Sequence, residues 1–116
     1  MNSGGITVPL FTTYAENDYE YIIKDCKPKV CIVSNIDQFK KIKNYISENT
    51  IVISIDVFDQ NIETFEYIFL KAKTDLKTLG ESVVPYNDNL RRNDLACIIY
   101  TSGTTGNPKG VMLSHG

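Results

Sequence analysis

Apolar positions along this chain alternate between the period of a strand and the period of a helix. The stretch ITVPL at residues 6–10 is short and rich in β-branched residues, and it follows Gly4 and Gly5. It predicts a strand that Pro9 limits or ends. Tyr19, Ile22, Ile23 and Cys26 then fall at i, i+3, i+4 and i+7, one face of a helix that Asn17 and Asp18 can start. Lys27 and Pro28 close it, because proline disfavours the helical conformation in the residue before it. Residues 30–33 are continuously apolar and of strand length, a pattern expected of a strand covered on both faces. Ser34 and Asn35 offer a cap for the next helix. Ile36, Phe39, Ile42 and Ile46 line that helix, and Asn49 and Thr50 end it. Residues 51–55 run Ile, Val, Ile, Ser, Ile and predict a third strand. Ile62, Phe65, Phe69 and Ala72 predict a further helix. Residues 73–92 are polar and lack a clear period apart from SVVP at 82–85, as expected of a surface connection. Residues 95–100 form another buried-type strand, and residues 111–113 a short strand returning beside it.

This alternation predicts an α/β fold: a partial, mostly parallel sheet flanked by helices, whose crossovers explain the apolar strands. With 116 residues, the chain corresponds to one domain or a piece of one. At 42% apolar and 22% charged, its composition is that of a globular sequence rather than a disordered one. A formal charge of −2 with acids and bases intermixed gives no basic excess to suggest a nucleic-acid partner. The short clusters Lys40-Lys41 and Arg91-Arg92 read as solvated surface. The N-terminus shows no basic start followed by a long apolar stretch, so no signal peptide is expected. No stretch reaches the roughly 18 apolar residues of a membrane span. Cys26, Cys31 and Cys97 are odd in number and scattered, which argues against a disulfide framework. With His115 they can be written as zinc ligands. The spacing of Cys26 and Cys31 within an apolar pattern, with no second ligand pair, favours core thiols.

The string YTSGTTGNPKG at residues 100–110 carries the chemistry. It follows a strand that would deliver it to the carboxyl edge of the sheet, where open α/β sheets bind ligands. Gly103 and Gly106 permit backbone angles closed to other residues. Successive backbone N–H groups can form an anion-binding concavity. The hydroxyls of Thr101, Ser102, Thr104 and Thr105 add rotatable donors, and Lys109 adds a cation behind the stiff Pro108. Such a set suits a polyphosphate. Two common phosphate signatures fail on spacing. Four residues after Gly103 comes Pro108 rather than a Gly-Lys-Ser/Thr run, and G-x-G-x-x-G is absent. Composition alone therefore leaves two readings, a Ser/Thr/Gly-rich turn and a phosphate loop.

The full string resembles the signature loop of the AMP-forming acyl-adenylate enzymes, a family that includes acyl-CoA synthetases, firefly luciferase and the adenylation domains of nonribosomal peptide synthetases. The continuation VMLSHG at 111–116 is similar as well, as are GITVPLFTT at 5–13, YII at 21–23 and KVCIV at 29–33. The run LACIIYTSGTTGNPKGVMLSHG looks most like the long-chain fatty acyl-CoA synthetases.

That resemblance implies a ligase that joins a fatty acid to coenzyme A through an acyl-AMP intermediate, with ATP and Mg2+ as reactants. It maps Thr101, Ser102, Gly103, Thr104, Thr105, Gly106 and Lys109 onto the loop that holds the ATP β- and γ-phosphates. Lys109 would neutralise part of the charge leaving with pyrophosphate. It leaves His115 with two readings, a catalytic group that helps orient the carboxylate of the acid and a residue that packs the strand end. It assigns no metal ligand in this stretch. It implies that residues 1–116 are part of an AMP-binding (adenylation) domain, ending just after the phosphate-binding loop, and that this chain alone does not catalyse. The partners it implies are the fatty acid, ATP, coenzyme A and the remainder of the enzyme, here or on a separate chain. A cytoplasmic or peripherally membrane-bound location is the matching expectation. The competing readings are a non-catalytic nucleotide-binding module, a truncated remnant and another acyl-adenylate-forming ligase.

Overall fold

A computed structural model describes residues 4–79, 89–101 and 106–116. Contacts divide the chain into two compact units, Met1–Ile22 with Pro85–Gly116, and Ile23–Val84. The architecture is mixed α/β with a parallel sheet and helices, as the alternation predicts; the strands of the described residues fall into a three-stranded and a two-stranded sheet.

Helix α1 (Glu16–Cys26) begins in the first unit and ends in the second. It starts slightly earlier than Asn17, because the Asp18 carboxylate accepts the Ala15 N–H at 3.3 Å while Asp18 and Tyr19 donate to the Ala15 carbonyl. This is half of a capping box, with Glu16 and Asp18 also complementing the positive end of the helix dipole. Tyr19, Ile22 and Ile23 are buried, as their spacing predicts. The Lys27 N–H closes the helix onto the Ile23 carbonyl at 2.9 Å. Pro28 bars Lys27 from the right-handed helical basin, and Lys27 takes the left-handed one at φ 44°.

In the second unit, strands β1 (Val30–Val33) and β2 (Ile51–Ser54) pair in parallel with Val30 opposite Ile51 and Val33 opposite Ser54. Between them lies α2 (Ile36–Ile42). The Asn35 side chain caps it by accepting the N–H groups of Asp37 and Gln38, both at 3.1 Å. The helix stops well short of Asn49. Tyr45 donates to Ile42 across a tighter three-residue turn, so Ile46 stays half-buried without being helical. A two-residue strand β3 (Glu63–Thr64), not evident in the sequence pattern, joins β2 in parallel. Helix α3 (Phe65–Leu79) follows, with the Thr64 hydroxyl accepting the Tyr67 N–H. It extends seven residues into the segment expected to be a connection. Residues 71–79 are mostly good helix formers, and the Thr74 and Thr78 hydroxyls donate back to the carbonyls four residues earlier.

Burial departs from expectation in this unit. The apolar strands are not covered on both faces: Val30, Ile32 and Ile51 are 47%, 61% and 57% exposed. The predicted inward stripe of α3 is also exposed at Phe65 and Phe69. Val33, Ile42 and Ser54 are buried. Continuous apolar runs report a demand for cover, and the described residues meet that demand on one face only.

In the first unit, β4 (Leu95–Thr101) pairs antiparallel with β5 (Lys109–Ser114). The expected first strand at residues 6–10 shrinks to a single parallel bridge between Thr7 and Cys97. Thr7 donates to the Ala96 carbonyl and accepts from Ile98 N–H, and Pro9, lacking an N–H, cannot continue the ladder. Among the described residues, no helix is long and apolar enough to cross a membrane.

Candidate functional site

The glycine-rich string spans a hairpin. Its two ends are the last residue of β4 and the first of β5, Thr101 and Lys109, which face each other in the ladder. The Thr101 hydroxyl makes a long 3.5 Å contact to the Lys109 carbonyl. Gly106 stands at φ 125°, a conformation that L side chains rarely adopt, and a Cβ there would meet nothing within 4 Å. The backbone angle, not crowding, calls for glycine at this point. Pro108 is buried and Lys109 exposed, so the returning chain is anchored one residue before the exposed lysine. Ser102, Gly103, Thr104 and Thr105 lie outside the described residues.

Beneath the loop the stem is tightly fitted. Tyr100 is 3% exposed and sits opposite Gly110. A Cβ on Gly110 would lie 3.0 Å from Ile98 Cγ2 and 3.3 Å from Tyr100 Cζ. The bare Cα of Gly110 therefore makes room for the Tyr100 ring, an aromatic-over-glycine cross-strand pair. The Tyr100 carbonyl accepts the Tyr14 hydroxyl at 2.6 Å. The Tyr14 ring meets Phe11 and Tyr19 edge-on, with centroids 5.3 Å and 6.2 Å away, and the Tyr19 hydroxyl donates to the Phe11 carbonyl at 2.7 Å. Burial, and secondarily the neighbouring Tyr14, push the Tyr19 phenol above its ordinary pKa, so it stays a donor at any physiological pH. Sequence reasoning places Tyr19 on a helix face and does not single out Tyr14. Tyr14 belongs to no periodic pattern, and its acceptor lies 86 residues away.

Of the candidate residues that are described, Thr101, Gly106 and Lys109 come together at one end of the hairpin. His115 does not join them. It follows the opposite end of β5, where its N–H donates to the Asp94 carbonyl at 3.2 Å. It lies six positions after Lys109, ~20 Å at the ~3.3 Å rise of a strand. The hairpin thus holds two distinct ends, a loop end with the cation and a far end with the histidine.

Cys26, Cys31 and Cys97 are free thiols, each partly buried. Burial pushes the thiols of Cys26 and Cys31 up, that of Cys31 to about 11, with the proximity of Cys26 adding to the latter. Both remain neutral thiols near pH 7. Among the described residues, no three His, Cys, Asp or Glu side chains gather to hold a metal ion.

Comparison with known proteins bears on all 116 residues. The family described as "AMP-binding enzyme" matches residues 1–116. Long-chain-fatty-acid–CoA ligase ACSBG1 of Rattus norvegicus is 29% identical over 97% of this chain, and fatty acyl-CoA synthetase A of Dictyostelium discoideum is 32% identical over 99%. The chain spans only 16% and 18% of the length of these two relatives. Among solved structures, the anthranilate CoA ligase AuaEII in complex with anthranoyl-AMP superposes with a TM-score of 0.69 at 24% identity. That match covers 95% of this chain and 20% of the ligase, and it carries the fold alone.

Proposed function

The chain belongs to the AMP-binding enzyme family, and from that premise we propose that it is part of an AMP-forming long-chain fatty acid–CoA ligase and carries the loop that holds the ATP phosphates. Residues 1–116 then belong to the adenylation domain of a longer enzyme. Fatty acid, magnesium-ATP and coenzyme A are the substrates. In the first step a carboxylate oxygen attacks the α-phosphorus, the bond to the bridging oxygen breaks, and pyrophosphate leaves with the charge. In the second, the coenzyme A thiol attacks the acyl carbon and AMP departs.

The observation that carries this reading is the loop end of the hairpin. Lys109 is exposed, directly opposite Thr101, with Gly106 in a glycine-favouring conformation between them. The ammonium group can answer phosphate charge, and backbone N–H groups and hydroxyls can supply further donors, without a bulky side chain in the way. Charge stabilisation and positioning are what such a transfer asks of a protein. The relatives named as a long-chain-fatty-acid–CoA ligase and a fatty acyl-CoA synthetase support the fatty acid and coenzyme A as substrates. His115, at the far end of the hairpin, is assigned no contact with the phosphates. Its two readings, a group that orients the acid's carboxylate and a residue that packs the strand end, both fit that position.

Titration of the 116-residue chain with ATP, with and without magnesium, tests this reading. Saturable, magnesium-dependent binding is expected, and Lys109→Ala should weaken it by roughly 10- to 100-fold, the worth of one charge-assisted contact. No acyl-CoA should form. An absence of saturable binding, or binding that ignores Lys109→Ala, would refute the phosphate loop.

A further inference from the structure

Alternate residues of a strand present their backbone groups to the same edge. Along the edge of β4 that faces away from β5, the Ala96 carbonyl and the Ile98 N–H are both taken by Thr7. Tyr100 is the next residue with that orientation, and the Thr7 segment has already turned away through Pro9. Its carbonyl is met instead by the Tyr14 hydroxyl at 2.6 Å, a short bond. The same residue is held from the other side, where its ring fills the space over Gly110. The two contacts act at the last position before Thr101 and directly across the ladder from the residue after Lys109.

From this juxtaposition we infer that Tyr14 is a positioning residue for the loop: its hydroxyl, bonded to the Tyr100 carbonyl, fixes the angle at which Thr101 leaves β4 and so where Thr101 and Lys109 stand relative to a bound polyphosphate. The inference rests on the phosphate-loop reading above. Tyr14 itself touches no substrate. Its ring is held in place edge-on by Phe11 and Tyr19, so the hydroxyl arrives pre-aimed and little freedom remains to be lost when the bond forms. In a loop that works by pre-set donors, a stem free to rock spreads those donors over many positions and weakens each contact.

The experiment uses the isotopically labelled 116-residue chain and its Tyr14→Phe variant, which keeps the ring and removes only the donor. Residue-resolved amide hydrogen exchange is read at Thr101 and at residues 109–111, with residues 30–33 as an internal reference. Affinity for magnesium tripolyphosphate is read separately. Exchange in the stem is expected to rise on the order of tenfold with the reference unchanged, and tripolyphosphate affinity to fall by a similar factor. Replacing Tyr14 with p-aminophenylalanine, which restores a donor at the same place, should return both toward the parent values. A packing role for the ring would show neither change in the Phe variant. Stem exchange within twofold of the parent would overturn the inference. So would a Phe variant that loses cooperative folding altogether, since the hydroxyl would then serve the whole unit and not the loop. If the parent chain binds no tripolyphosphate, the phosphate-loop reading fails, while exchange still decides whether the hydroxyl holds the stem.

Discussion

The β1–β2 pair and the β4–β5 pair are held in different ways. In the first, a four-residue parallel ladder and local caps such as Asn35 do most of the work, and Val30, Ile32 and Ile51 stand exposed on one face. In the second, strand β5 is exposed along its whole length, yet its partner carries a buried tyrosine fixed at ring and carbonyl. The backbone pairing of β1 and β2 requires only that two extended segments lie side by side. The stem of the hairpin requires particular atoms: a glycine without a Cβ, a ring above it and a hydroxyl at its carbonyl. At the hairpin that the phosphate-loop proposal makes the site of chemistry, this chain uses specific side-chain contacts. Where it only needs a scaffold, it uses repetition and leaves apolar surface uncovered.

The largest test of that contrast is Tyr100→Ala. Removing a buried aromatic that closes over Gly110 should cost about 3–5 kcal/mol in urea unfolding of the first unit. A cost near 1 kcal/mol would mean that the stem tolerates the gap and that its fit is incidental. An intermediate effect is expected from pH on the second unit. Cys31 has its thiol pKa raised from 9.0 to about 11, first by burial and then by Cys26. The folded state therefore holds that proton longer than the unfolded state. Its contribution is fully present below about pH 9 and is lost as pH rises through about 11. Melting temperature should drop across this window, and Cys31→Ala should flatten that drop. An unchanged alkaline profile would mean that this side of β1 is as open as the side carrying Ile32. The smallest effect is expected from Ile32→Thr on the exposed face, within about 0.5 kcal/mol of the parent. A loss several times larger, growing with protein concentration, would reveal that a second copy covers this face in solution.

Several elements were readable from pattern because the forces behind them are local. The i, i+3, i+4, i+7 spacing of Tyr19, Ile22, Ile23 and Cys26 marks a helix face whichever partner it meets. Asn35 announces a cap by its own side chain, and Pro28 closes α1 by steric exclusion at Lys27. The strand before the signature string and its return were equally visible, although β5 begins at Lys109 rather than Val111. Other features were hidden because their causes are non-local. Strand β3 exists through its pairing with Ile53 and Ser54, and two residues carry no period of their own. The segment after Ala72 has helix-forming residues but no apolar period, so its sequence pattern alone does not mark it as helix.

At the candidate site, the residues to suspect came from the sequence: a run of glycines and hydroxyls ending in Lys109 fits a turn or a phosphate loop, and its spelling resembles a family's signature. Only six positions separate Lys109 and His115 along the chain. An extended strand turns those six positions into distance, and so sets the two at opposite ends of the hairpin. Tyr14 shows the reverse case. Nothing along the chain connects it with Tyr100, because the bond spans 86 residues and depends on a carbonyl that lies beyond the single bridge made by Thr7. Local chemistry is written in neighbouring residues, but which backbone group remains to be satisfied is known only once the strands have taken their places.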